Sequence, residues 1–532
     1  MSATAGFEGY AAWRQSRMAL RSDARWRMPG AWNHLITVIA FGDTAAALAA
    51  TLDSLRAQSY RNIEILVAGH AAATLPHAGD FATLRGLFAE PALDPIDILA
   101  DPRSESLWRG NHLVFARAGT LFDPDTFALL NSSLRPTSCG APPDLVVCDH
   151  DRATEAGPAP CFLPGWDPDL VRAMDVIGTA FMVSRRLVRA GSNAERPRSL
   201  HEWLCRLATR KEAPVWTHLA EPVIHLPDPM PQLGAALSAP AIAAAAPSVA
   251  IVIPNRDRPD LLARCVEFLS TLDLPAPELV IVDHASSDPA TLALYASLRH
   301  RYGARILPVA GRFNFSHMVN LGVTATTAEV AVLLNNDVEV TRPGQVETLV
   351  AHAARPEVGV AGARLLYPDG RVQHAGVLLQ AGPDADNSVA AMHVLRGEPD
   401  AADGYLHALR TVRNYQAVTG ALMATRRAVF DAVGGFDEVS LPVEYNDVDY
   451  CLKARALDLR VLVVPTEGVL HHESATRLTQ MTPEVLRMRQ AAMALIRLRW
   501  PKEVRHDPFR NPWVTLGDVP QARFPWTGAA GA

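Results

Sequence analysis

The residues best suited to chemistry lie in the second half of the chain, where polar clusters follow apolar runs. The apolar run Val330–Leu334 is typical of a buried strand and leads directly into Asn335, Asn336 and Asp337. In open α/β sheets, ligands bind at the carboxyl ends of such strands. A carboxylate placed there can hold a hard divalent cation against a diphosphate, and we interpret Asp337 in this way. The alternative is an ordinary aspartate that begins a turn.

A second acidic position is Asp283, which follows the strand-like run Leu279–Val282. A carboxylate at this place can accept hydrogen bonds from a base or a ribose. An aspartate that caps the following turn with Ser286 and Ser287 is the alternative.

A third cluster contains Asp447 and Asp449, just before a helical pattern. One of these carboxylates can cap the helix, while the other faces a cleft as a general base. The fourth cluster is His471 and His472, which follow another strand-like run. Adjacent histidines point in different directions, so at most one reaches a given metal. A histidine and a distant aspartate suit Mn²⁺ as a pair, although a lone histidine is more often structural.

Alternating strand and helix patterns must position these residues, and the alternation predicts βαβ units with a parallel sheet. The pattern occurs twice, which predicts two tandem α/β, Rossmann-like domains with mostly parallel sheets. The predicted divisions are a first domain over 1–228, an Ala/Pro-rich linker over 229–247, a second domain over 248–482, and a helix and tail over 483–532.

Further elements are predicted at both ends of the chain. Residues 1 to about 30 predict a helix packed on the first domain, with a membrane-surface helix as the alternative. Thr425–Val433 predicts a helix, and Ala381–Tyr405 is typical of a mobile loop. The arginine-rich helix Pro483–Trp500 either packs across the domains or rests on anionic lipid near a lipid-linked acceptor.

Composition limits the possible functions. The chain has 532 residues, 49% hydrophobic and 20% charged, and a formal net charge of -6, which argues against nucleic acid as a partner. Its six cysteines are scattered without a CxxC pair, so a reducing compartment is expected. We find no signal-peptide pattern and no run of about 18 apolar residues. A cytoplasmic protein is expected, with contact at the inner face of the plasma membrane left open.

Six ordered motifs resemble one family over Ser248 to about Pro512. They are AIVIPNRDRPDLL, IVDHASSD, LLNNDVEV, TGALMATRRAVFDAVGGFDE, EYNDVDYCLKAR and VLHHESATR. Together they resemble the inverting nucleotide-sugar glycosyltransferases of family 2, which have the GT-A fold. The segment GARLLYPDGRVQHAGV is similar to the subgroup that contains bacterial rhamnosyltransferases and other surface-polysaccharide enzymes.

The resemblance implies a role for each polar position. Asp283 would accept from the N3–H of uracil or thymine, and Asp337 with His471 would hold Mg²⁺ or Mn²⁺ on the diphosphate. Asp447 would deprotonate the acceptor hydroxyl. The implied nucleotide site further includes Pro254, Asn255, Arg256, Ser287 and Asn336, and the implied sugar site includes Thr419, Gly420, Asn446 and Asp449. The implied partners are a nucleotide-sugar donor and a glycan or lipid-linked acceptor.

The chain departs from the family pattern at several positions. Asn335 replaces the first acid of the DxD motif, which removes one negative charge from the implied metal site. Asn446 replaces the first acid of the ED motif, and His284 and Ala285 replace the usual Asp-Gly.

The first half resembles the same fold without its chemical positions, which predicts a degenerate domain that packs, orients or binds acceptor glycan. AGHAAAT follows its second strand, Ala116–Gly119 replaces the DxD motif, and HEWLCR lacks the base. Asp149 and Asp151 have a DxD-like spacing after the fourth strand and are a weaker metal candidate.

Two other functional classes remain open at this stage. The first is a non-catalytic, glycan-binding or scaffold protein built from two inactive transferase folds, which Asn335 favours and Asp337 and Asp447 oppose. The second is a nicotinamide dehydrogenase, a poor alternative because no GxGxxG follows any predicted strand.

Overall fold

The chain divides into two compact units in the computed structural model. Unit 1 is Met1–Gly234 with Asn511–Thr515 and Arg523–Ala532, and unit 2 is Ala235–Arg510 with Leu516–Ala522. The structure describes residues 7–22, 33–42, 44–68, 87–90, 94–136, 140–191, 196–210, 214–234, 247–382, 388–472 and 482–526. Most of the predicted linker lies outside these residues. Residues 383–387, near the start of the predicted loop 381–405, and the end of the late histidine motif also lie outside them, as do parts of the predicted N-terminal helix and most of AGHAAAT.

The described residues of unit 1 form both helices and strands. Its elements are α1 Tyr10–Ser22, β1 Ile36–Phe41, α2 Ala45–Arg56, β2 Ile63–Ala68, β3 Leu87–Glu90, α3 Asp97–Ala100, β4 His112–Arg117, β5 Leu121–Phe122, α4 Thr126–Ser132, β6 Leu145–Thr154, β7 Gly157–Cys161, α5 Pro168–Ala173, β8 Phe181–Ser184, α6 Arg185–Gly191, α7 Leu200–Ala208 and β9 Trp216–Leu226.

Unit 2 begins its own series at Val249. Its elements are β10 Val249–Asn255, α8 Pro259–Cys265, β11 Glu278–His284, α9 Pro289–Tyr302, β12 Arg305–Val309, α10 Phe315–Thr324, β13 Val330–Leu334, β14 Val338–Val340, α11 Gln345–Ala353, β15 Val358–Ala363, β16 Leu365–Leu366, β17 Val372–His374, β18 Val377–Ala381, β19 Val389–His393, β20 Arg413–Asn414, β21 Leu422–Arg426, α12 Arg427–Val433, α13 Asn446–Arg455, β22 Arg460–Val464, β23 Val469–His471, α14 Pro483–Arg499 and α15 Pro501–Arg505.

The main sheets of the two units share one strand order over their first seven strands and differ in the eighth. The order is β3-β2-β1-β4-β8-β6-β9-β5 in unit 1 and β12-β11-β10-β13-β21-β15-β22-β20 in unit 2. In each, the first four strands are parallel and the fifth is antiparallel to its neighbours. The predicted α/β class is therefore confirmed, with sheets that are mixed beyond the fourth strand.

Strand register relates positions of the two sheets. The last pair between the first two strands is Phe41–Ala68 in unit 1, and Asn255–Asp283 has the same place in unit 2. Ile36 and Ala250 are equivalent in this register, and their partners on the fourth strand are His112 and Ala331. Ala118 therefore has the place of Asp337, because each follows its partner residue by the same number of positions. At these equivalent places, unit 1 therefore has apolar side chains where unit 2 has polar or acidic ones.

Burial explains why the central strands form. Every residue of β13 is buried, as is every residue of β10, because helices cover both faces of a parallel sheet. The core of unit 2 around these strands joins them to α8, α9 and α11. This packing holds the carboxyl ends of β10, β11 and β13 at fixed positions along one edge.

Three sequence predictions differ from the structure. The predicted loop 381–405 includes the strand β19, which pairs with β18 in a hairpin. Thr425 lies in the strand β21 instead of a helix, because β13 and β15 pair with β21 on its two sides. The apolar spacing of Asp260–Leu272 predicts one continuous helix, but the helix ends at Cys265 and the chain continues as a 3₁₀ turn.

The helix α1 packs on unit 1 through one polar face. Tyr10 and Arg14 both donate to Asp151, at 2.9 and 3.1 Å, and Arg21 donates to Asp123 at 2.5 Å. His225 lies between the two carboxylates, 3.0 Å from Asp123 and 2.9 Å from Asp151. The geometry agrees with the prediction that the N-terminal helix packs on the first domain.

The arginines of α14 make contacts within unit 2. Arg489 pairs with Glu444, Arg499 pairs with Asp437 and Asp449, and Arg497 donates to backbone carbonyls at the end of the hairpin. These contacts lie within unit 2, so packing across the domains and contact with anionic lipid both stay predictions. Among the residues that the structure describes, no helix is both long and apolar enough to cross a membrane.

Candidate active site

The site is built around the end of β13. The backbone N–H of Asn335 donates to Ala421 at 2.8 Å, and that of Val338 donates back to Asn335 at 3.2 Å. This short turn ends one strand and begins β14, so Asp337 projects from the sheet edge. The predicted placement of Asp337 at a strand terminus agrees with this geometry.

The pairing of β14 with β23 decides which histidine faces Asp337. Val338 is the register partner of His471, whose Nε2 lies 3.2 Å from Asp337 Oδ1. His472 points the other way and contacts Glu339 at 2.8 Å, because successive side chains of a strand alternate. The structure therefore brings His471, and not His472, to the predicted metal position.

Asp283 lies at the end of β11 in a buried hydrogen-bond network. The Tyr295 hydroxyl donates to its Oδ1 at 2.8 Å, and the Ser286 backbone N–H lies 3.2 Å from the same oxygen. Asn255 donates to the Tyr295 hydroxyl at 2.7 Å and accepts from Asn336 at 2.7 Å. One chain of hydrogen bonds thus connects Asp283 with the residue before Asp337.

The loops after β10 and β11 are tied together by Asp257. Its carboxylate accepts from the backbone N–H groups of Ser287 and Asp288, at 2.8 and 2.9 Å. These hydrogen bonds lower the pKa of Asp257. Pro254 is buried within β10, whereas Arg256 is exposed beside this loop. The predicted nucleotide residues therefore lie on adjoining loops.

Asp447 opens α13 on the other side of the β13 terminus. Its Oδ2 accepts from the Gly420 backbone N–H at 2.9 Å, and its Oδ1 accepts from Val448 at 2.8 Å. Gly420 precedes Ala421, which bonds to Asn335, so Asp447 and Asp337 flank the same strand end. Thr419 also lies here, where its backbone N–H is 3.4 Å from His374 Nε2.

Two predicted sugar-site residues are not brought to this edge. Asp449 is fully buried, and Arg499 and Trp500 each donate to its Oδ1 at 2.9 Å. Asn446 is 3% exposed and donates to Ser316 at 3.0 Å. Protein groups therefore hold both side chains, and their place in a sugar site stays a prediction.

The residues present suit a divalent cation held mainly by a substrate diphosphate. No group of three or more His, Cys, Asp or Glu side chains suited to a metal occurs in the described part of the chain. Asp337 and His471 would supply two ligands, and Mg²⁺ typically takes one or two carboxylates and completes its shell with phosphate and water. The Asn335 Oδ1 is buried and has no hydrogen-bond partner among the residues that the structure describes, so one oxygen acceptor is left unused there.

The weaker metal candidate in unit 1 is the pair Asp149 and Asp151, whose carboxylates are bonded by protein groups. Asp149 contacts His218 at 2.8 Å and accepts from Asn511 at 2.8 Å. Asp151 is bonded by Tyr10, Arg14 and His225. Because protein donors occupy both carboxylates, this prediction was wrong.

Sequence reasoning overlooked Tyr295 and Asp257. Tyr295 lies on the buried face of α9, where an aromatic residue is ordinarily part of the core. The signal that could have found it is a tyrosine on the helix that follows an acidic strand end, because a buried hydroxyl needs a partner.

Comparison with known proteins identifies the class of the second half. Residues 246–491 match the family model described as "Glycosyltransferase like family 2". The chain therefore contains a glycosyltransferase family 2-like domain, and its charged site coincides with the matched segment.

Two curated proteins are similar over longer stretches. The uncharacterized protein y4gI of Sinorhizobium fredii is 29% identical over 90% of this chain and 57% of its own length. The O-antigen biosynthesis protein RfbC of Myxococcus xanthus is 30% identical over 70% of this chain and 31% of its own length. The chain thus spans less than two thirds of either relative.

Solved structures are more distant. The mannosyltransferase PcManGT of Pyrobaculum calidifontis, in complex with GDP-Man and Mn²⁺, has 16% identity and a TM-score of 0.33 over 49% of this chain and 73% of its own. A likeness at this score supports no argument about activity.

Proposed function

We propose that unit 2 is a metal-dependent, inverting glycosyltransferase. It would move a sugar from a UDP- or dTDP-linked donor to a hydroxyl of a glycan or lipid-linked acceptor. The observation that carries this proposal is the convergence of Asp283, Asp337, His471 and Asp447 on one sheet edge within a family 2-like domain.

The donor would lie along the hydrogen-bond chain from Asp283 to Asn336. Asp283 presents carboxylate oxygens, which can accept from the N3–H of uracil or thymine. Asp337 and His471 would hold Mg²⁺ or Mn²⁺, which when bound neutralises the charge that grows on the diphosphate leaving group. Through their hydrogen bonds, Tyr295 and Asn255 would fix the part of the site that binds the nucleobase relative to the part that binds the diphosphate.

Asp447 would act as the general base. The N–H groups of Gly420 and Val448 hold its carboxylate in one orientation. The carboxylate would take the proton of the acceptor hydroxyl while the hydroxyl oxygen attacks the anomeric carbon opposite the leaving diphosphate. One displacement inverts the configuration, and no covalent nucleophile is required.

The same proposal places this transfer, of a rhamnosyl or another hexosyl group, in surface-polysaccharide synthesis. It is supported by the similarity to a protein named for O-antigen biosynthesis, of which this chain spans a minor part. A cytoplasmic location, with the acceptor presented at the inner face of the plasma membrane, goes with it.

We further propose that unit 1 is a degenerate transferase fold that binds or orients the acceptor. Its support is strand register, because Phe41, Ala68 and Ala118 have the places of Asn255, Asp283 and Asp337. These side chains offer no group for a base or a metal.

A donor screen with a base variant tests the function. Wild-type protein should release nucleoside diphosphate from one UDP- or dTDP-sugar, and Asp447→Asn should lower this turnover by about 100-fold or more because it removes the base. Binding of the nucleotide should be unchanged. Asp431→Asn, which removes an exposed carboxylate on α12, is the matched control.

The outcomes separate the candidate functions. Turnover retained by Asp447→Asn would remove Asp447 as the base. Nucleotide binding without turnover of any donor would favour the non-catalytic scaffold, which the replacement of an acid by Asn335 makes the second candidate.

A further inference from the structure

Gln373 is a buried side chain behind the candidate metal position. It lies on β17, is 4% exposed, and makes two contacts with His471. Its Oε1 lies 2.7 Å from the imidazole Nδ1, and its Nε2 lies 3.4 Å from the backbone oxygen. We propose that Gln373 is a positioning residue, which fixes the tautomer of His471 so that Nε2 is ready to bind a cation. The inference rests on the proposed function only for the presence of that cation.

The two contacts determine the orientation of the Gln373 amide. A backbone carbonyl oxygen can only accept a hydrogen bond, so the amide NH₂ must face the carbonyl of His471. The amide oxygen then faces Nδ1 and can itself only accept. Nδ1 must therefore carry the proton, and in a neutral imidazole this leaves a lone pair on Nε2.

That lone pair points at another acceptor. Nε2 lies 3.2 Å from Asp337 Oδ1, and two acceptors at this distance repel each other unless a positive charge lies with them. A divalent cation would remove the repulsion by binding both atoms. Histidines that bind metals usually donate their other ring N–H to an oxygen acceptor, and Gln373 supplies such an acceptor.

The fold gives Gln373 little freedom to do anything else. β17 pairs with β16, and β16 pairs with β23, which carries His471. Val372 and His374 on either side are 0% and 1% exposed. The short sheet thus holds the amide beside the imidazole, and only 4% of Gln373 is exposed.

Mn²⁺ binding to the full-length protein, measured by electron paramagnetic resonance of free Mn²⁺, tests the inference without turnover. Gln373→Met removes the acceptor and should weaken Mn²⁺ binding by about 10–100-fold. Gln373→Glu keeps an acceptor at Nδ1 and should stay within about threefold of wild type. Gln416→Met is the matched control, because Gln416 is 1% exposed and contacts Glu503 instead of His471.

The results separate this inference from the proposed function. Mn²⁺ binding by Gln373→Met at the wild-type level, or by Gln373→Glu as weakly as by Gln373→Met, would overturn the positioning role alone. If Gln373→Met does not fold, Gln373→Asn, whose shorter amide cannot reach Nδ1, should show the same loss. Wild-type protein that transfers sugar but binds no Mn²⁺ would overturn this inference and leave the transferase activity standing.

Discussion

The hydroxyl of Tyr295 is the junction between the two ends of the candidate donor site. It donates to Asp283 and accepts from Asn255, whose amide oxygen accepts from Asn336. Burial raises the pKa of Tyr295 to about 12, so the hydroxyl keeps its proton and remains a donor. The Tyr295 hydroxyl thus holds the Asp283 carboxylate in the orientation in which it would accept from a nucleobase.

Tyr295→Phe should therefore weaken UDP binding by about tenfold, because a buried carboxylate and a buried amide each lose a partner. Isothermal titration measures the change. Tyr302→Phe is the control, since Tyr302 lies at the end of the same helix and its ring stacks under Arg301. Equal losses in both variants would show that helix stability, and not the hydroxyl, sets the affinity.

At the scale of elements, α14 supports the helix that carries the candidate base. Arg499 and the following Trp500 both donate to Asp449, one helical face away from Asp447. The Lys453 ammonium lies 3.3 Å from the other oxygen of this carboxylate. A fully buried carboxylate that loses such a donor becomes an uncompensated charge.

Arg499→Leu should lower the free energy of unfolding of unit 2 by about 1–3 kcal/mol, because the Asp449 charge loses a donor. Urea denaturation, followed by hydrogen exchange in α13, measures the loss. Arg487→Leu changes an exposed arginine of the same helix and should have little effect. Adding Asp449→Asn to Arg499→Leu should recover part of the stability, and no recovery would contradict the role given to this pair.

The sequence predicted the elements whose patterns are local. β13 was predicted at its observed bounds, because a continuous apolar run between turns defines such a strand. The short strands β17 and β19 pair with their chain neighbours β16 and β18 and were overlooked. The strand character of β21 could not be predicted, because its partners β13 and β15 are distant in the chain. For the same reason, Asp337 and Asp447 were found in the sequence, but Gln373 and the buried position of Asp449 were not.

On the scale of whole units, a buried histidine links the stability of unit 1 to pH. Burial, the largest contribution, lowers the pKa of His225, but hydrogen bonds to Asp123 and Asp151 outweigh it, and the pKa ends above its ordinary 6.5. Arg14 also faces this ring and opposes its charge. The stability that charged His225 contributes through its ion pairs is therefore fully present below about pH 6.5. It is lost as the pH rises through the folded-state pKa of His225.

Hydrogen exchange of α1 should show this dependence, because Tyr10 and Arg14 bond to the same Asp151. After correction for intrinsic exchange rates, protection of α1 should fall as the pH rises above 6.5 in the wild type. In His225→Gln, the protection of α1 should be lower than in the wild type and nearly independent of pH. His300→Gln, at an exposed position of unit 2, should behave like the wild type, and the same slope in His225→Gln would contradict the account.

The central claim is that Asp283 and Asp337 belong to one nucleotide site, and calorimetric titration with UDP and dTDP tests it most directly. One of these nucleotides should bind more tightly with Mn²⁺ than with EDTA. Asp337→Ala should abolish that difference, whereas Asp283→Ala should weaken binding in both conditions. Equal binding with Mn²⁺ and with EDTA, or binding that neither substitution changes, would contradict the claim.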